Sequence, residues 1–290
     1  MLELNIDGLT KTYPNGVAAL QGVTLSIPAG MFGLLGPNGA GKSSLMRTIA
    51  TLQDADSGTI RLGDIDVLED HDSVRRTLGY LPQEFGLYPK AKAQDLLDHF
   101  AILKGIVRRS ERKSTVESLL RQTNLWSARN KAVGTFSGGM RQRFGIAVAL
   151  LGDPRLIIVD EPTAGLDPAE RVRFLNLLSE LGQENVVILS THIVDDVADL
   201  CPRMAIMNQG RIKFTGEPDQ AKAGLRGRVW TTTIDRGATP PADLSVLSTR
   251  LAAGRTAVRV LSDHCPGPSW ESADPDLEDV YFVAIHDLAA

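Results

Sequence analysis

The sequence predicts an α/β fold built around a mainly parallel β-sheet. Strand-like and helix-like segments alternate over the first ~215 residues, which is the order that crossover connections produce. The runs Leu156–Val159 and Val186–Leu189 are almost wholly apolar, as expected for strands that are buried on both faces. The composition indicates a folded core, because 43% of the residues are hydrophobic and 23% are charged.

Apolar runs bounded by turn residues predict the other elements of this part. In chain order they are a strand at Met31–Leu35, a helix at Lys42–Leu52, strands at Thr59–Leu62 and Thr77–Leu81, a helical insertion over 91–132, a helix at Met140–Leu151 and a hairpin of Met204–Met207 with Arg211–Phe214. The hairpin is favoured by the Asn-Gln-Gly turn between its two strands.

A turn-rich stretch predicts a boundary between a first domain, 1–217, and a C-terminal appendage, 218–290. Within the appendage, the β-branched runs Val229–Ile234 and Thr256–Leu261 predict strands, and Leu277–Ile285 predicts a terminal helix. We therefore expect a small α+β unit after the main domain.

Charge and cysteine content exclude several classes of protein. The chain has 31 basic and 35 acidic residues, and a net charge of −4 argues against nucleic-acid binding. No apolar stretch approaches the ~20 residues that cross a bilayer, and the first residues do not match a signal peptide. Cys201 and Cys265 are far apart and match no metal-ligand spacing, so we expect reduced thiols.

The clearest chemical motif is Gly36–Ser43, which fits G-x-x-x-x-G-K-[ST] between a predicted strand and a predicted helix. Its glycines let backbone N–H groups turn towards a phosphate, and the helix N-terminus adds partial positive charge. Lys42 is expected to reach the β- and γ-phosphates, and the Ser43 hydroxyl is a hard oxygen ligand for Mg²⁺. The flanking strand and helix favour this interpretation over a plain glycine-rich turn.

Two carboxylates follow the predicted strand Leu156–Val159. Asp160 ends the strand beside the phosphate loop, where Mg²⁺ would be held. Glu161 points elsewhere and suits a base that polarises an attacking water. A strand that merely ends in a solvated acidic pair is the alternative.

A second helix start made of small residues, Ser137-Gly138-Gly139, precedes the helix predicted at Met140. Such a start is also an anion-binding geometry. By itself it is more typical of an ordinary N-cap, and its place between the phosphate loop and Asp160-Glu161 is what favours anion binding.

The order of these motifs resembles the ATP-binding subunit of ATP-binding-cassette (ABC) transporters over about residues 1–217. Phe136–Arg143 resembles the signature that separates this family from other phosphate-loop proteins. The remaining similarities are Tyr13 to the aromatic that stacks on adenine, Gly36–Ser43 to Walker A, Gln83 in Tyr80–Glu84 to the Q-loop glutamine, Leu156–Glu161 to Walker B with the catalytic carboxylate, Ala164–Asp167 to the D-loop and His192 to the switch histidine.

The resemblance implies a phosphate-loop NTPase core with an antiparallel β subdomain and a helical subdomain at about 84–140. It implies ATP and Mg²⁺ as cofactors and hydrolysis of ATP to ADP and phosphate. Catalysis is assigned to Glu161, His192 and Gln83, and Mg²⁺ binding to Ser43, Gln83 and Asp160. Nucleotide binding is assigned to Tyr13, Gly36, Pro37, Asn38, Gly39, Ala40, Gly41, Lys42, Ser43, Ser44, Ser137, Gly138, Gly139 and Asp167.

Partners follow from the same resemblance. Two such chains, identical or homologous, pair head to tail so that the signature of one faces the ATP of the other. The pair drives permease subunits on separate chains from the cytoplasmic face of the cell membrane. Met140 in the signature and the segment Asp276–Phe282 resemble the drug and antibiotic (ABC-2 type) export branch.

Two other functions are compatible with the motifs. A soluble ABC ATPase that acts on chromosomes or ribosomes usually has a long coiled-coil insertion or two cassettes, and this sequence has neither. A regulatory protein with silent catalysis is disfavoured by the presence of both Glu161 and His192.

Overall fold

The computed structural model describes residues 2–83, 86, 88–163, 166–182, 185–241 and 243–288. The strands within these ranges are β1 (Glu3–Thr12), β2 (Ala18–Pro28), β3 (Gly30–Leu35), β4 (Ser57–Leu62), β5 (Ile65–Asp66), β6 (Leu78–Leu81), β7 (Leu156–Asp160), β8 (Val186–Thr191), β9 (Arg203–Asn208), β10 (Arg211–Gly216), β11 (Val229–Ile234), β12 (Ser245–Ala252), β13 (Arg255–Leu261) and β14 (Glu271–Ser272). The α-helices are α1 (Lys42–Ile49), α2 (His71–Thr77), α3 (Ala93–Leu103), α4 (Arg109–Gln122), α5 (Gly138–Ala149), α6 (Pro168–Leu181), α7 (Val194–Leu200), α8 (Pro218–Gly224) and α9 (Leu277–Ile285).

The central sheet has the strand order β10-β9-β3-β8-β7-β6, and its pairings are parallel except at the β9–β10 hairpin. Every residue of β7 and β8 is buried, because helices and the antiparallel sheet described next cover the two faces of the central sheet. The predicted α/β fold with a mainly parallel sheet is therefore confirmed. The carboxyl ends of β3, β7 and β8 lie side by side, and this edge carries the site described below.

An antiparallel sheet, in the order β2-β1-β4-β5, covers one face of the central sheet. Leu4, Ile6 and Ile60 of this sheet share a core with Met46 of α1 and Ile158 of β7. Local pattern alone did not predict β1 and β2, because register shifts break the alternation of inward and outward side chains along this pair.

Helices α3, α4 and α5 enclose a separate core. The first two lie in the helical insertion predicted over 91–132, and α5 corresponds to the helix predicted at Met140–Leu151. Its centre contains Leu97, Leu120 and Phe144 from the three helices, all fully buried. The N-terminus of α5 projects from this core and begins at Gly138, directly after Ser137.

The C-terminal segment forms a third, antiparallel sheet in the order β12-β13-β11-β14, with α8 and α9 beside it. Its residues Val229 and Val280 belong to the same apolar cluster as Leu189 and Met204 of the central sheet. The side-chain amide of Asn208 donates a hydrogen bond of 3.0 Å to the Ile285 carbonyl and joins β9 to α9. The boundary at 217 and 218 stays a prediction, while the predicted α+β content after it is confirmed.

Candidate active site

The loop between β3 and α1 requires glycine at two positions. A Cβ atom on Gly36 would lie 2.3 Å from the Met207 carbonyl oxygen, closer than real atoms approach. Gly41 has φ 106°, in the left-handed region, and a Cβ there would lie 2.4 Å from the Ala19 carbonyl oxygen. The loop is therefore clamped between β9 and β2 and holds a fixed shape.

The N-terminus of α1 opens into this loop without a side-chain cap, because its N-cap residue is Gly41. The first N–H groups of a helix have no partner inside the helix, so they can bind an anion together with the helix dipole. The Lys42 ammonium lies beside them and donates to the carbonyl oxygens of Gly36 at 2.7 Å and Pro37 at 3.3 Å. Its side chain is only 6% exposed, so one buried cation faces this group of amides.

Glu161 connects the loop to the end of β8. Its Oε1 lies 3.5 Å from the Lys42 ammonium and its Oε2 lies 2.6 Å from His192 Nδ1. The carboxylate is 6% exposed, whereas the His192 side chain is 47% exposed. The backbone of Glu161 has φ 50°, a strained conformation for a non-glycine residue, and its N–H donates to the Ser190 carbonyl oxygen at 2.8 Å.

Asp160 and Ser190 form the last cross-strand pair of β7 and β8. Both are buried, and Asp160 Oδ1 and Ser190 Oγ have no hydrogen-bond partner. A buried polar atom without a partner is costly, so these two oxygens fit a site that a bound cation or water completes.

A cleft of about 370 Å³ lies over the loop and is lined by Tyr13, Val17, Ala18, Ala19, Gln21, Asn38, Gly39, Ala40, Gly41, Lys42, Ser43, Ser44, Gln83, Glu161, Gln209 and Gly210. The structure thus brings together most of the predicted nucleotide-binding residues, with Gln83 and Glu161 at the same opening. The Tyr13 hydroxyl donates to Gln53 Oε1 at 3.0 Å and is hydrogen-bonded to Ser44 Oγ at 2.9 Å. This network fixes the tyrosine at the wall of the cleft.

The predicted residues of the signature and the D-loop lie elsewhere in the chain's own structure. Ser137 caps α5 by accepting a hydrogen bond of 3.2 Å from the Met140 N–H, and Asp167 caps α6 by accepting one of 2.9 Å from the Glu170 N–H. Neither Ser137–Gly139 nor Asp167 is among the described residues that line the cleft. Glu84 of the Q-loop stretch, and Ala164 and Gly165 of the D-loop, lie outside the described residues.

Gly139 lies where α5 meets α6. A Cβ on it would lie 2.3 Å from Glu170 Oε2, and Glu170 also forms an ion pair with Arg143 on α5. This packing favours a glycine at position 139, because a larger residue would displace the end of the Glu170 side chain.

The sequence analysis did not single out Asp196. This aspartate of α7 is fully buried and accepts hydrogen bonds from Thr163 Oγ1 at 2.5 Å and Arg171 Nε at 2.7 Å. Its neighbour Asp195 is exposed. No local signal separates the two, because they are adjacent aspartates in the first turn of a seven-residue helix.

Comparison with known proteins identifies the family. The family model described as "ABC transporter" matches residues 20–164, half of the chain. The chain belongs to the ABC transporter family. The cleft over its phosphate loop is therefore the candidate ATP site.

Two curated relatives of this ABC ATPase come from bacteria. The uncharacterized ABC transporter ATP-binding protein YxlF of Bacillus subtilis is 35% identical over 232 residues, which cover 80% of this chain and 76% of YxlF. The probable multidrug ABC transporter ATP-binding protein YbhF of Escherichia coli is 34% identical over 232 residues, 79% of this chain. The chain spans only 40% of the length of YbhF.

Among solved structures, the ATP-binding cassette MJ0796 has been described as a dimer in a post-hydrolysis state bound to ADP and phosphate. The ABC ATPase described here aligns with it at a TM-score of 0.67 and 27% identity, over 74% of this chain and 98% of that one. In the described part of the chain, no helix is both long and apolar enough to cross a bilayer.

Proposed function

We propose that this ABC ATPase is the subunit that powers a separate membrane permease, in an exporter, through ATP-dependent pairing of two chains. The observation that carries the proposal is the contact of one buried carboxylate, Glu161, with both the phosphate-loop lysine and the histidine at the end of β8. Glu161 also lines the cleft, so its carboxylate is available as a base beside the phosphate-binding loop.

The phosphates of ATP are bound by the free N–H groups at the start of α1 and by the Lys42 ammonium. Charge-assisted hydrogen bonds of this kind are about twice as strong as neutral ones. The stretch of backbone from Asn38 to Ser43 lines the cleft, so several amides face the same volume. Tyr13 also lines the cleft and provides an aromatic ring on which the adenine of ATP can stack.

The residues present fit a Mg²⁺ ion. The unpaired Asp160 Oδ1, the Ser43 hydroxyl and the Gln83 side-chain oxygen are the hard oxygen donors that this ion prefers. Among the described residues no group of three or more His, Cys, Asp or Glu side chains forms a metal site by itself. Such a donor set suits an ion whose other ligands are phosphate oxygens and water, and the bound ion neutralises phosphate charge.

Hydrolysis requires a base beside the γ-phosphate. Glu161 accepts the proton of the water that attacks the γ-phosphorus, the bond to the β–γ bridging oxygen breaks, and ADP and phosphate leave. His192 holds the Glu161 carboxylate through Nδ1, and Lys42 screens the charge that develops on the phosphate oxygens.

A second chain completes the site. Ser137, Gly138 and Asp167 are exposed at two helix starts and lie outside the cleft of their own chain, so they are free to face the nucleotide of a partner. The dimeric MJ0796 structure with ADP and phosphate supports this arrangement. Loss of the γ-phosphate removes the contact between the chains, and the pair opens.

A role in transport is supported by the relative named a probable multidrug ABC transporter ATP-binding protein. Export and a place on the cytoplasmic face of the membrane rest on the family resemblance of the signature and of Asp276–Phe282. The helical region also exposes Tyr88, Leu103 and Val107, which are 67%, 68% and 74% exposed and suit a protein partner. A soluble ABC ATPase acting on chromosomes or ribosomes would not co-purify with a permease, and this separates the two functions.

The test uses Glu161→Gln, which keeps the shape of the side chain and removes its basicity. We expect hydrolysis to fall at least a hundredfold while Mg·ATP holds a dimer that size-exclusion chromatography with light scattering detects. Lys42→Ala is the control, because it should lose both hydrolysis and the ATP-dependent dimer. A Glu161→Gln protein that hydrolyses ATP at the wild-type rate, or that stays monomeric with ATP, contradicts the proposal.

A further inference from the structure

The loops that carry Glu161 and His192 are joined twice. The first link is the 2.6 Å contact between the two side chains inside the site. The second lies outside the cleft, where Thr163 Oγ1 donates a hydrogen bond of 2.5 Å to Asp196 Oδ2. Thr163 follows Glu161 closely in sequence, and Asp196 lies one helical turn beyond His192.

The same aspartate joins a third segment. Its other oxygen, Oδ1, accepts a hydrogen bond of 2.7 Å from Nε of Arg171 on α6. The backbone N–H of Arg171 donates to the carbonyl oxygen of Asp167 at 2.9 Å, so Arg171 belongs to the first turn of that helix. Asp196 therefore holds together the segment after β7, the start of α7 and the first turn of α6.

The Asp196 carboxylate is fully buried, whereas the Arg171 side chain is 29% exposed. A buried charge is costly unless its hydrogen bonds are made, and removing one partner of such a pair is strongly destabilising. The two oxygens of Asp196 each have one donor of good geometry, so the charge is well satisfied. The exposed Asp195 and Asp199 on the same short helix show that α7 does not need a carboxylate for solubility at position 196.

We propose that Asp196 is a positioning residue for ATP hydrolysis, which fixes the loop of Glu161 against the helix that follows His192. This inference rests on the proposed roles of Glu161 and His192. Because Asp196 and Thr163 do not line the cleft in the described part of the chain, they act on the orientation of the base and leave nucleotide binding unchanged. Small displacements of a catalytic group are enough to reduce turnover strongly.

The main test compares Asp196→Asn with Asp199→Asn in steady-state ATP hydrolysis by the purified full chain. Asparagine keeps the shape but loses the charge and one acceptor, so the segments after β7 and β8 are held less firmly. We expect kcat to fall at least tenfold with KM for ATP within about twofold of wild type. Asp199→Asn changes an exposed carboxylate of the same helix and should leave both constants unchanged.

Thr163 provides a second and milder comparison, which keeps the proposal testable if Asp196→Asn folds poorly. Thr163→Ser retains the hydroxyl and should keep more than half of the wild-type kcat, whereas Thr163→Val removes it and should lower kcat at least fivefold. The double variant Thr163→Val/Asp196→Asn should be little worse than Asp196→Asn alone, because both changes break the same link.

Three outcomes overturn the inference: a wild-type kcat in Asp196→Asn, equal losses in Thr163→Ser and Thr163→Val, or a rise in KM that accounts for the whole loss. Glu161→Gln, measured in the same series, separates this failure from that of the proposed function. If Glu161→Gln is inactive while Asp196→Asn is normal, only the positioning role is wrong. If Glu161→Gln hydrolyses ATP normally, the proposed function itself is wrong.

Discussion

Charged side chains are arranged differently in the central sheet and in the third sheet near the C-terminus. At the carboxyl ends of the central strands, Lys42, Asp160 and Glu161 are all buried. In the third sheet, a pair such as Arg255–Asp235 lies at the surface, with both side chains more than half exposed. Since buried charge is costly, its concentration at one sheet edge indicates where chemistry rather than stability determines the residues.

Glycines show the same contrast. Gly36 and Gly41 lie against backbone atoms of neighbouring strands, so even a methyl group has no room. Around Gly224, Gly237 and Gly254 of the C-terminal segment, an added Cβ would meet nothing within 4 Å. Gly36 and Gly41 of the phosphate loop therefore leave much less space for an added side chain than these three positions of the C-terminal segment do.

The two cysteines provide the largest expected difference between the regions. Cys201, next to α7, is buried, and burial together with the negative charge of Asp196 raises the pKa of its thiol to about 12. Cys265 in the C-terminal segment is exposed. At pH 8 we expect an alkylating reagent to modify Cys201 at least about a hundredfold more slowly than Cys265, because only the thiolate reacts.

The rates are measured by mass spectrometry of the folded protein, and guanidinium-unfolded protein is the control in which both sites react. Rates within tenfold of each other in the folded protein contradict the burial of Cys201. The raised pKa of Cys201 also makes stability depend on pH. Above the ordinary pKa of 9.0 the thiol of the unfolded protein loses its proton, while the thiol of the folded protein keeps it. Stability from this group is therefore lost as pH rises from about 9 towards 12.

The second prediction compares Gly36→Ala with Gly224→Ala. The new methyl group on residue 36 must displace the loop from the Met207 carbonyl oxygen, which overpacks this site and costs about 1–3 kcal/mol. We expect the affinity for a fluorescent ATP analogue to fall at least tenfold. Gly224→Ala at the end of α8 meets open space and should leave affinity unchanged and stability within about 0.5 kcal/mol. Equal effects of the two changes would show that the loop is not clamped.

The third prediction sharpens the comparison inside the C-terminal segment, which has one buried carboxylate of its own. Asp279 is 1% exposed, accepts hydrogen bonds from Arg259 Nε at 2.9 Å and Nη2 at 2.5 Å, and forms a capping box with Asp276 at the start of α9. Asp279→Ala leaves the Arg259 guanidinium without its main partner and removes the acceptor of the Asp276 N–H, whereas the Asp276 side chain still caps the helix. We expect a loss of about 2–4 kcal/mol in denaturant unfolding.

Asp235→Ala is the matched control, because its pair with Arg255 is exposed and should contribute less than about 0.5 kcal/mol. ATP hydrolysis at low temperature should be normal in both variants. A loss below 1 kcal/mol in Asp279→Ala would mean that the third sheet docks on the central sheet without this link.

The sequence predicted those parts of the candidate site that a short stretch of sequence defines. The spacing from Gly36 to Ser43 defines a loop shape, and a carboxylate directly after a buried strand has a defined place at the sheet edge. The role of His192 was assigned from the family resemblance, and the structure shows that this residue follows β8, the neighbouring strand of β7. The expected separation of Ser137 from the phosphate loop within one chain depended on the family resemblance.

The remaining features depend on tertiary contacts that no local pattern encodes. Asp195 and Asp196 are identical in sequence terms, and only the helix phase against α6 decides which of them is buried. The strands β1 and β2 are irregular because Gly8, at φ 58°, and register shifts interrupt their alternation. The hydrogen bonds that hold Tyr13 in place come from Ser44 and Gln53, far away in sequence.

The packing of α9 on the central sheet also constrains the order in which the molecule is made. Helix α9 contributes Val280 and Tyr281 to the cluster that contains Leu189 and Met204, yet it leaves the ribosome only after the whole third sheet has been synthesised. Until α9 has been made, the apolar cluster beside β9 and α7 lacks its last layer. All the segments that form the phosphate loop and the ends of β7 and β8 are thus synthesised before the helix that covers this part of the core.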